Sequence, residues 1–231
     1  MRQAANCTLH MGKRFAAAVL CGLFGVSFSM ASPAAAQPAD ARSLPGAELL
    51  AAVRAGGYVI YFRHADTDHS REDQRPVNLD DCATQRNLNE RGVAEARKQS
   101  TIVTSLGIPA GTVYASRYCR ARDHVRWFTA DVTPNDALTP VRNAEKAKAL
   151  LALLATPPPP GTNTFFFAHG GILWQATDYD SEEAETFVFK PGSPPTLVAA
   201  IKMHDWDALA AKRGPCCAPR TFWGGGPAPK E

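Results

Sequence analysis

The most constraining feature of this chain is a set of short apolar runs that do not alternate with polar residues. Thr164-Phe165-Phe166-Phe167-Ala168 is one and Tyr58-Val59-Ile60-Tyr61-Phe62 is another. A half-buried strand alternates apolar and polar side chains, because successive residues point to opposite faces. A continuous run suits a strand covered on both faces, as in parallel sheets with helices above and below. Val113-Tyr114-Ala115 reads as a further short strand, and Thr186–Phe189 and Leu197–Ile201 as two more, joined by the turn-rich Pro191-Gly192-Ser193-Pro194-Pro195. Helical stretches lie between them. Ser43 can cap a first helix with Pro45 near its first turn, running to Gly56-Gly57. Asn89 can cap a second, whose stripe of Val93, Ala96, Ile102, Val103 and Leu106 ends at Gly107. Residues 142–155 form the clearest amphipathic helix and stop at four prolines, 157–160. Strands alternating with helices predict a three-layer α/β/α sandwich with a mostly parallel central sheet.

The N-terminus reads differently. Lys13 and Arg14 precede an apolar stretch from Phe15 to Phe28, and Ala34-Ala35-Ala36 offers small residues for a signal peptidase. We expect residues 1–36 to be a signal peptide cleaved before Gln37, and the mature protein to be periplasmic or secreted. Met11 is an alternative start. An uncleaved anchor fits less well, since the apolar stretch is short for a span, and Cys21 lacks the small preceding residue of a lipidation site. Removing residues 1–36 takes Lys plus Arg from 25 to 22, equal to the 22 acidic residues. A near-neutral protein gives no bulk electrostatic reason to bind nucleic acid or an anionic membrane. We expect a domain over 37–213 and a Pro/Gly-rich tail over 214–231.

Export also changes how cysteines are read. Cys7 and Cys21 leave with the signal; Cys82, Cys119, Cys216 and Cys217 remain. An even number in an oxidising compartment is compatible with disulfides. Adjacent Cys216 and Cys217 pair poorly with each other, and Cys82–Cys119 is the preferred bridge. No ligand spacing for zinc is present.

Ligands of open α/β sheets bind beyond the carboxyl ends of the strands. Arg63-His64 follows the first apolar run, Arg120 stands four residues after Ser116 beyond the second, and His169-Gly170-Gly171 follows the third. Three buried strands thus deliver side chains fit for phosphate to one sheet edge. Each residue also has an ordinary reading: a strand-end histidine satisfied by a loop carbonyl for His64, a buried histidine before a turn for His169, and a solvated basic face for Arg117, Arg120, Arg122 and Arg126. The ordered set outweighs these. His69, His124 and His204 have no motif support and read as surface residues.

Arg63-His64-Ala65, Ser116 to Arg120, Ala168-His169-Gly170-Gly171 and the intervening Leu88-Asn89-Glu90-Arg91-Gly92-Val93-Ala94-Glu95-Ala96 together resemble the histidine phosphatase superfamily, in its phosphoglycerate-mutase-like branch. The resemblance spans about residues 57–175. The run Cys82-Ala83-Thr84-Gln85-Arg86-Asn87-Leu88 resembles small exported members, some associated with lipopolysaccharide-sugar phosphates. The resemblance implies a metal-independent phosphomonoesterase with His64 as nucleophile, His169 as its partner, and Arg63 and Arg120 gripping phosphate, with Arg86 and Asn87 as further phosphate-binding candidates that suit capping or buttressing of the 66–87 loop better. It implies no cofactor, a small-molecule or sugar phosphomonoester as substrate, no protein partner, and no stable membrane insertion after signal removal. A neutral imidazole carries a lone pair for phosphorus, and guanidinium groups match phosphate oxygens in pairs.

The pattern departs from the family in three places. Ala65 stands where a glycine is usual. Arg120-Ala121-Arg122-Asp123-His124-Val125 is a loose version of its segment. Leu138-Thr139-Pro140 lacks the glutamate that protonates the leaving group in many relatives, and Asp66, Asp136 and Glu145 are the substitutes available. A mutase and a protein phosphohistidine phosphatase both fit export poorly. A non-catalytic phosphate- or phosphosugar-binding envelope protein is the alternative that the missing acid keeps open.

Overall fold

The computed structural model describes residues 46–141 and 143–212. The expected signal peptide over 1–36, the Ser43 cap with Pro45, and the expected tail with Cys216 and Cys217 lie outside the described residues. The first helix, α1, is Gly46–Ala55, and β1 (Val59–Arg63) follows it. Next come α2 (Glu90–Ser105), β2 (Ala110–Ala115), α3 (Cys119–Val125) and the two-residue β3 (Thr133–Pro134). The chain continues through α4 (Ala144–Ala155), β4 (Asn163–Ala168), α5 (Gly170–Thr177), β5 (Thr186–Lys190), β6 (Thr196–Ile201) and α6 (Asp205–Ala211).

The six strands form one sheet in the order β3-β2-β4-β1-β5-β6. Neighbours from β3 through β1 pair parallel, while β1–β5 and β5–β6 pair antiparallel. The sheet is therefore mostly parallel, as the apolar runs predict. All six residues of β4 are buried, and four of the five in β1. Alternate residues go to opposite faces. Ile60, Phe62, Phe165 and Phe167 face a core with Leu50 and Val53 of α1, Val103 of α2, Val125 of α3 and Trp206 of α6. Val59, Tyr61, Phe166 and Ala168 face Leu150 and Leu154 of α4 and Ile172 of α5. These are the three layers. Phe62 and Phe167 stack across the β1–β4 pair, with ring centroids 4.7 Å apart and planes 6° from parallel.

The helix signals hold in detail. Asn89 caps α2, its side-chain oxygen accepting from Gly92 N–H at 2.8 Å, and Gly107 follows that helix with φ +67°. Asn143 caps α4, so the helix opens two residues later than the periodicity of 142–155 suggests. The two-residue β3 is too short to leave a periodic trace. Gly92 has a second function. A Cβ there would lie 2.0 Å from Asp66 O, so only glycine lets α2 start against the segment leaving β1.

Residues 66–87 form the expected long loop, with a 3-10 turn over Cys82–Thr84 and a Thr67–Leu88 bridge closing its base. The expected Cys82–Cys119 disulfide is present. One expectation is corrected. His124 is not on the surface but fully buried, with Nε2 2.8 Å from Gln99 Oε1 and its ring against Phe167. The aromatic face of the sheet accepts the imidazole because Gln99 supplies its acceptor, and burial pushes its pKa down to about 3. His69 and His204 are exposed, as expected.

Candidate active site

The sheet ladder continues one residue past each central strand. His64 N–H donates to Ala168 O at 3.0 Å, and Ser116 N–H donates to Phe167 O at 2.9 Å. The backbones of His64, Ser116 and His169 are thereby fixed at one edge. The two imidazoles meet edge to face, their centroids 5.1 Å apart, and each residue is 2% exposed.

A backbone carbonyl assigns the ring proton of His64. His64 Nδ1 lies 3.0 Å from Ala65 O, which only accepts, so Nδ1 carries the proton and Nε2 keeps its lone pair. Ser116 Oγ accepts from Tyr118 N–H at 3.3 Å and lies 2.8 Å from His169 Nε2, a contact in which the hydroxyl can donate or accept. Tyr61 clamps the His169 backbone, its hydroxyl donating to His169 O at 2.8 Å and accepting from His169 N–H at 3.2 Å. Burial, followed by the positive charge of Arg120 and then of Arg63 and Arg86, holds the pKa of both histidines well below the ordinary value, against a raising bond from Ala65 O at His64. Both rings are neutral at physiological pH.

Three arginines exert their charge on this pair. Arg120, in α3, is 3% exposed. Its Nη1 donates to Asp73 Oδ1 at 3.0 Å and to Arg86 O at 3.2 Å, and its guanidinium lies over the Tyr118 ring at 4.6 Å. Arg117, Arg122 and Arg126 are exposed, so α3 turns one arginine of that segment inward. Arg63, at the end of β1, donates to Ser181 O and has Nη2 3.7 Å from Glu183 Oε1. Gly170 makes room for it: a Cβ there would come within 2.8 Å of Arg63 Nη1. Arg86 is half-buried, with Nη1 3.4 Å from His69 Nδ1. Asn87 spends its amide on Cys82 O at 2.7 Å, which is the buttressing arrangement. Arg63 Nε, Arg120 Nε and His169 Nδ1 are buried without a hydrogen-bond partner among the described residues. Unpaired buried polar atoms are rare and costly, and these three belong to residues that act on, or stack against, His64.

None of the candidate acids stands ready to give up a proton. Burial raises the Asp66 carboxyl, but hydrogen bonds from Arg91 and Asn89 outweigh this and hold its pKa at about 2. Asp136 and Glu145 are exposed, the first in a 3-10 turn and the second in the first turn of α4. Sequence reasoning passed over Glu183. Its Oε1 lies 3.9 Å from His64 Nδ1 and accepts from Thr67 Oγ1 at 2.9 Å, while Oε2 accepts from Thr67 N–H at 3.0 Å. It stands on the protonated side of the His64 ring, where it balances charge rather than reaching a leaving group. Asp73, Ser116 and Tyr61 were also without an assigned role. Asp66, His69 and Glu183 place one ligand-capable atom each within 4.8 Å of one another. Arg91 and Thr67 already satisfy the two carboxylates.

No protein-family model matches this chain, and no curated protein sequence does. Solved structures do match. A protein histidine phosphatase, SixA, complexed with tungstate aligns at 15% identity and TM-score 0.48, covering 64% of this chain and 98% of that one. A mycobacterial glucosyl-3-phosphoglycerate phosphatase aligns at 13% identity and TM-score 0.44, over 62% and 96% of the two chains. Phosphoserine phosphatase of Entamoeba histolytica, in complex with 3-phosphoglyceric acid, aligns at 13% and 0.44, over 62% and 95%. Identities this low leave the chemistry to be read from this chain's own residues.

Proposed function

We propose that this chain is an exported phosphomonoesterase that works through a phosphohistidine on His64. One observation carries the proposal. His64 Nε2 is left with a free lone pair in a buried setting where Arg63 Nε, Arg120 Nε and His169 Nδ1 have no hydrogen-bond partner among the described residues. A tetrahedral dianion supplies what they lack. In the first step the Nε2 lone pair attacks phosphorus and the bond to the leaving oxygen breaks. Arg63, Arg120 and His169 stabilise the charge on the equatorial oxygens. In the second step water attacks phosphorus, the P–N bond breaks with its electron pair returning to Nε2, and the protons of the water leave on the inorganic phosphate and to solvent, so that neutral His64 returns. Since no candidate acid among the described residues is placed to protonate a leaving alkoxide, the site favours small phosphomonoesters with good leaving groups. Nothing in these steps calls on a metal or a cofactor. The N-terminal pattern of Lys13-Arg14, Phe15–Phe28 and Ala34–Ala36 supports export, and among the described residues no helix is long and apolar enough to cross a membrane.

The absence of a placed acid among the described residues favours one second reading, a phosphate-binding envelope protein without turnover. The two part on covalent chemistry. The full chain, expressed with its own N-terminal segment and purified as the cell leaves it, is given para-nitrophenyl phosphate in EDTA. Turnover with acid-labile, base-stable phosphate on His64, both lost in His64→Ala, is the expected result. Phosphate binding with neither adduct nor turnover overturns the enzyme in favour of the binder.

A further inference from the structure

The 66–87 loop carries two groups that face Arg120, and its attachments to α3 lie close together in the sequence. Cys82, in the 3-10 turn, is bonded to Cys119, which is fully buried and immediately precedes Arg120. Gln85 is also fully buried. Its Oε1 accepts from Cys119 N–H at 2.9 Å and its Nε2 donates to Asn78 O at 2.8 Å. Tyr118, the residue before α3, makes no side-chain cap, so Gln85 satisfies the first N–H of that helix from across the chain. Asn87 Nδ2 donates to Cys82 O at 2.7 Å. Arg120 Nη1 completes the frame by reaching Arg86 O and Asp73 Oδ1, and the same Asp73 oxygen accepts from Arg86 N–H at 2.9 Å. The rest of the loop is largely exposed and has little apolar burial to hold it.

We propose that the Cys82–Cys119 bridge and Gln85 are positioning residues of the anion site. They hold Arg86 and Arg120 in one frame, so that affinity for phosphate depends on the bridge being closed. The proposal rests on the phosphatase reading above. Opening the bridge leaves the loop hydrogen-bonded to α3 through Gln85 and Arg120. The Arg86 guanidinium then samples positions away from the two histidines, while the histidines stay fixed by the sheet ladder. Binding weakens more than chemistry does.

The test uses the full chain carrying Cys216→Ser and Cys217→Ser, which removes the other thiols of the mature chain. Dithiothreitol supplies the two electrons that convert the bridge to two thiols, itself closing to a cyclic disulfide, and thiol titration confirms the opening. Three quantities are read below the melting temperature of the reduced form: the Kd for inorganic phosphate, KM and kcat with para-nitrophenyl phosphate, and amide exchange along the chain. The expected result is a rise of about tenfold in Kd and KM, the effect of ~1.4 kcal/mol, with kcat changed by less than about threefold. Exchange quickens in residues 68–87 and not in β4, and reoxidation restores every value. A Cys82→Ala, Cys119→Ala variant gives the same split without reductant. An open bridge with unchanged Kd, KM and loop exchange overturns the positioning role and leaves the phosphatase standing. An oxidised protein that neither binds phosphate nor turns over overturns the phosphatase reading, and the positioning role falls with it.

Discussion

The β1–β4 pair and the 66–87 loop serve the same site by different means. The pair places His64 and His169 with backbone hydrogen bonds and buried aromatic side chains, the Phe62–Phe167 stack among them. The loop places Arg86 and Asp73 with side-chain bonds, one disulfide and a short bridge at its base. A ladder between buried strands opens only when the core opens, whereas side-chain ties can be removed singly. The proposed nucleophile, His64, is therefore held rigidly, and the charge around it is adjustable.

That contrast ranks its own tests. His64→Ala removes the nucleophile and is expected to abolish turnover by at least about a thousandfold, while phosphate binding, measured by calorimetry, persists. Arg120→Ala is expected to lower kcat/KM by about a hundredfold, in the range seen on losing one stabilising donor. Arg86→Ala should cost about tenfold, mainly in KM, because the loop holds that residue less firmly than α3 holds Arg120. Equal losses for the two arginines would erase the distinction between rigid and adjustable parts.

Opening the Cys82–Cys119 bridge, whose ends are 37 positions apart in the sequence, is expected to lower global stability by about 3–4 kcal/mol in the chain-entropy account, read by denaturant unfolding. Asp73→Asn is smaller and opposite in sign for binding. Asp73 engages the Arg120 Nη1 that a phosphate oxygen could otherwise use, so its loss should tighten phosphate binding by about threefold to tenfold while lowering Tm, since Arg120 then stands buried without its partner.

The pH dependence separates the regions again. His64, His169 and His124 all have folded pKa values below the ordinary 6.5. The unfolded chain then binds more protons below that value, so stability contributed by these groups is present above pH 6.5 and is lost as pH falls towards the folded pKa values. For His124 that window runs from 6.5 to about 3. Tm should fall on acidification across it, and less steeply in His124→Gln. Activity should persist below pH 6.5, since His64 keeps its lone pair there. A kcat/KM limb centred at 6.5 would mean that the ring is solvated rather than buried.

How much could be read in the chain follows from what places each residue. The strands were legible because burial on both faces demands uninterrupted apolar runs, and Asn89 because capping needs only local neighbours. His64 and His169 were legible because they adjoin those strands. Glu183 was not: it lies 116 residues from Thr67, to which it is hydrogen-bonded, and Ser181-Glu182-Glu183 looks like any solvated acidic turn. Asp73 sits 47 residues from Arg120, within a loop that has no period. The burial of His124 needed Gln99 as an acceptor, and a one-dimensional pattern does not reveal such a partner.

Sequence alone determined the layers, the strand ends and which imidazoles stand there, because these depend on periodicity and on neighbours one to four residues away. Tertiary structure alone decided which nitrogen of His64 is free, which carboxylates answer the arginines, and how the loop is tied over Arg120. Those are contacts between residues far apart in the chain, and their geometry exists only once the sheet has brought them together.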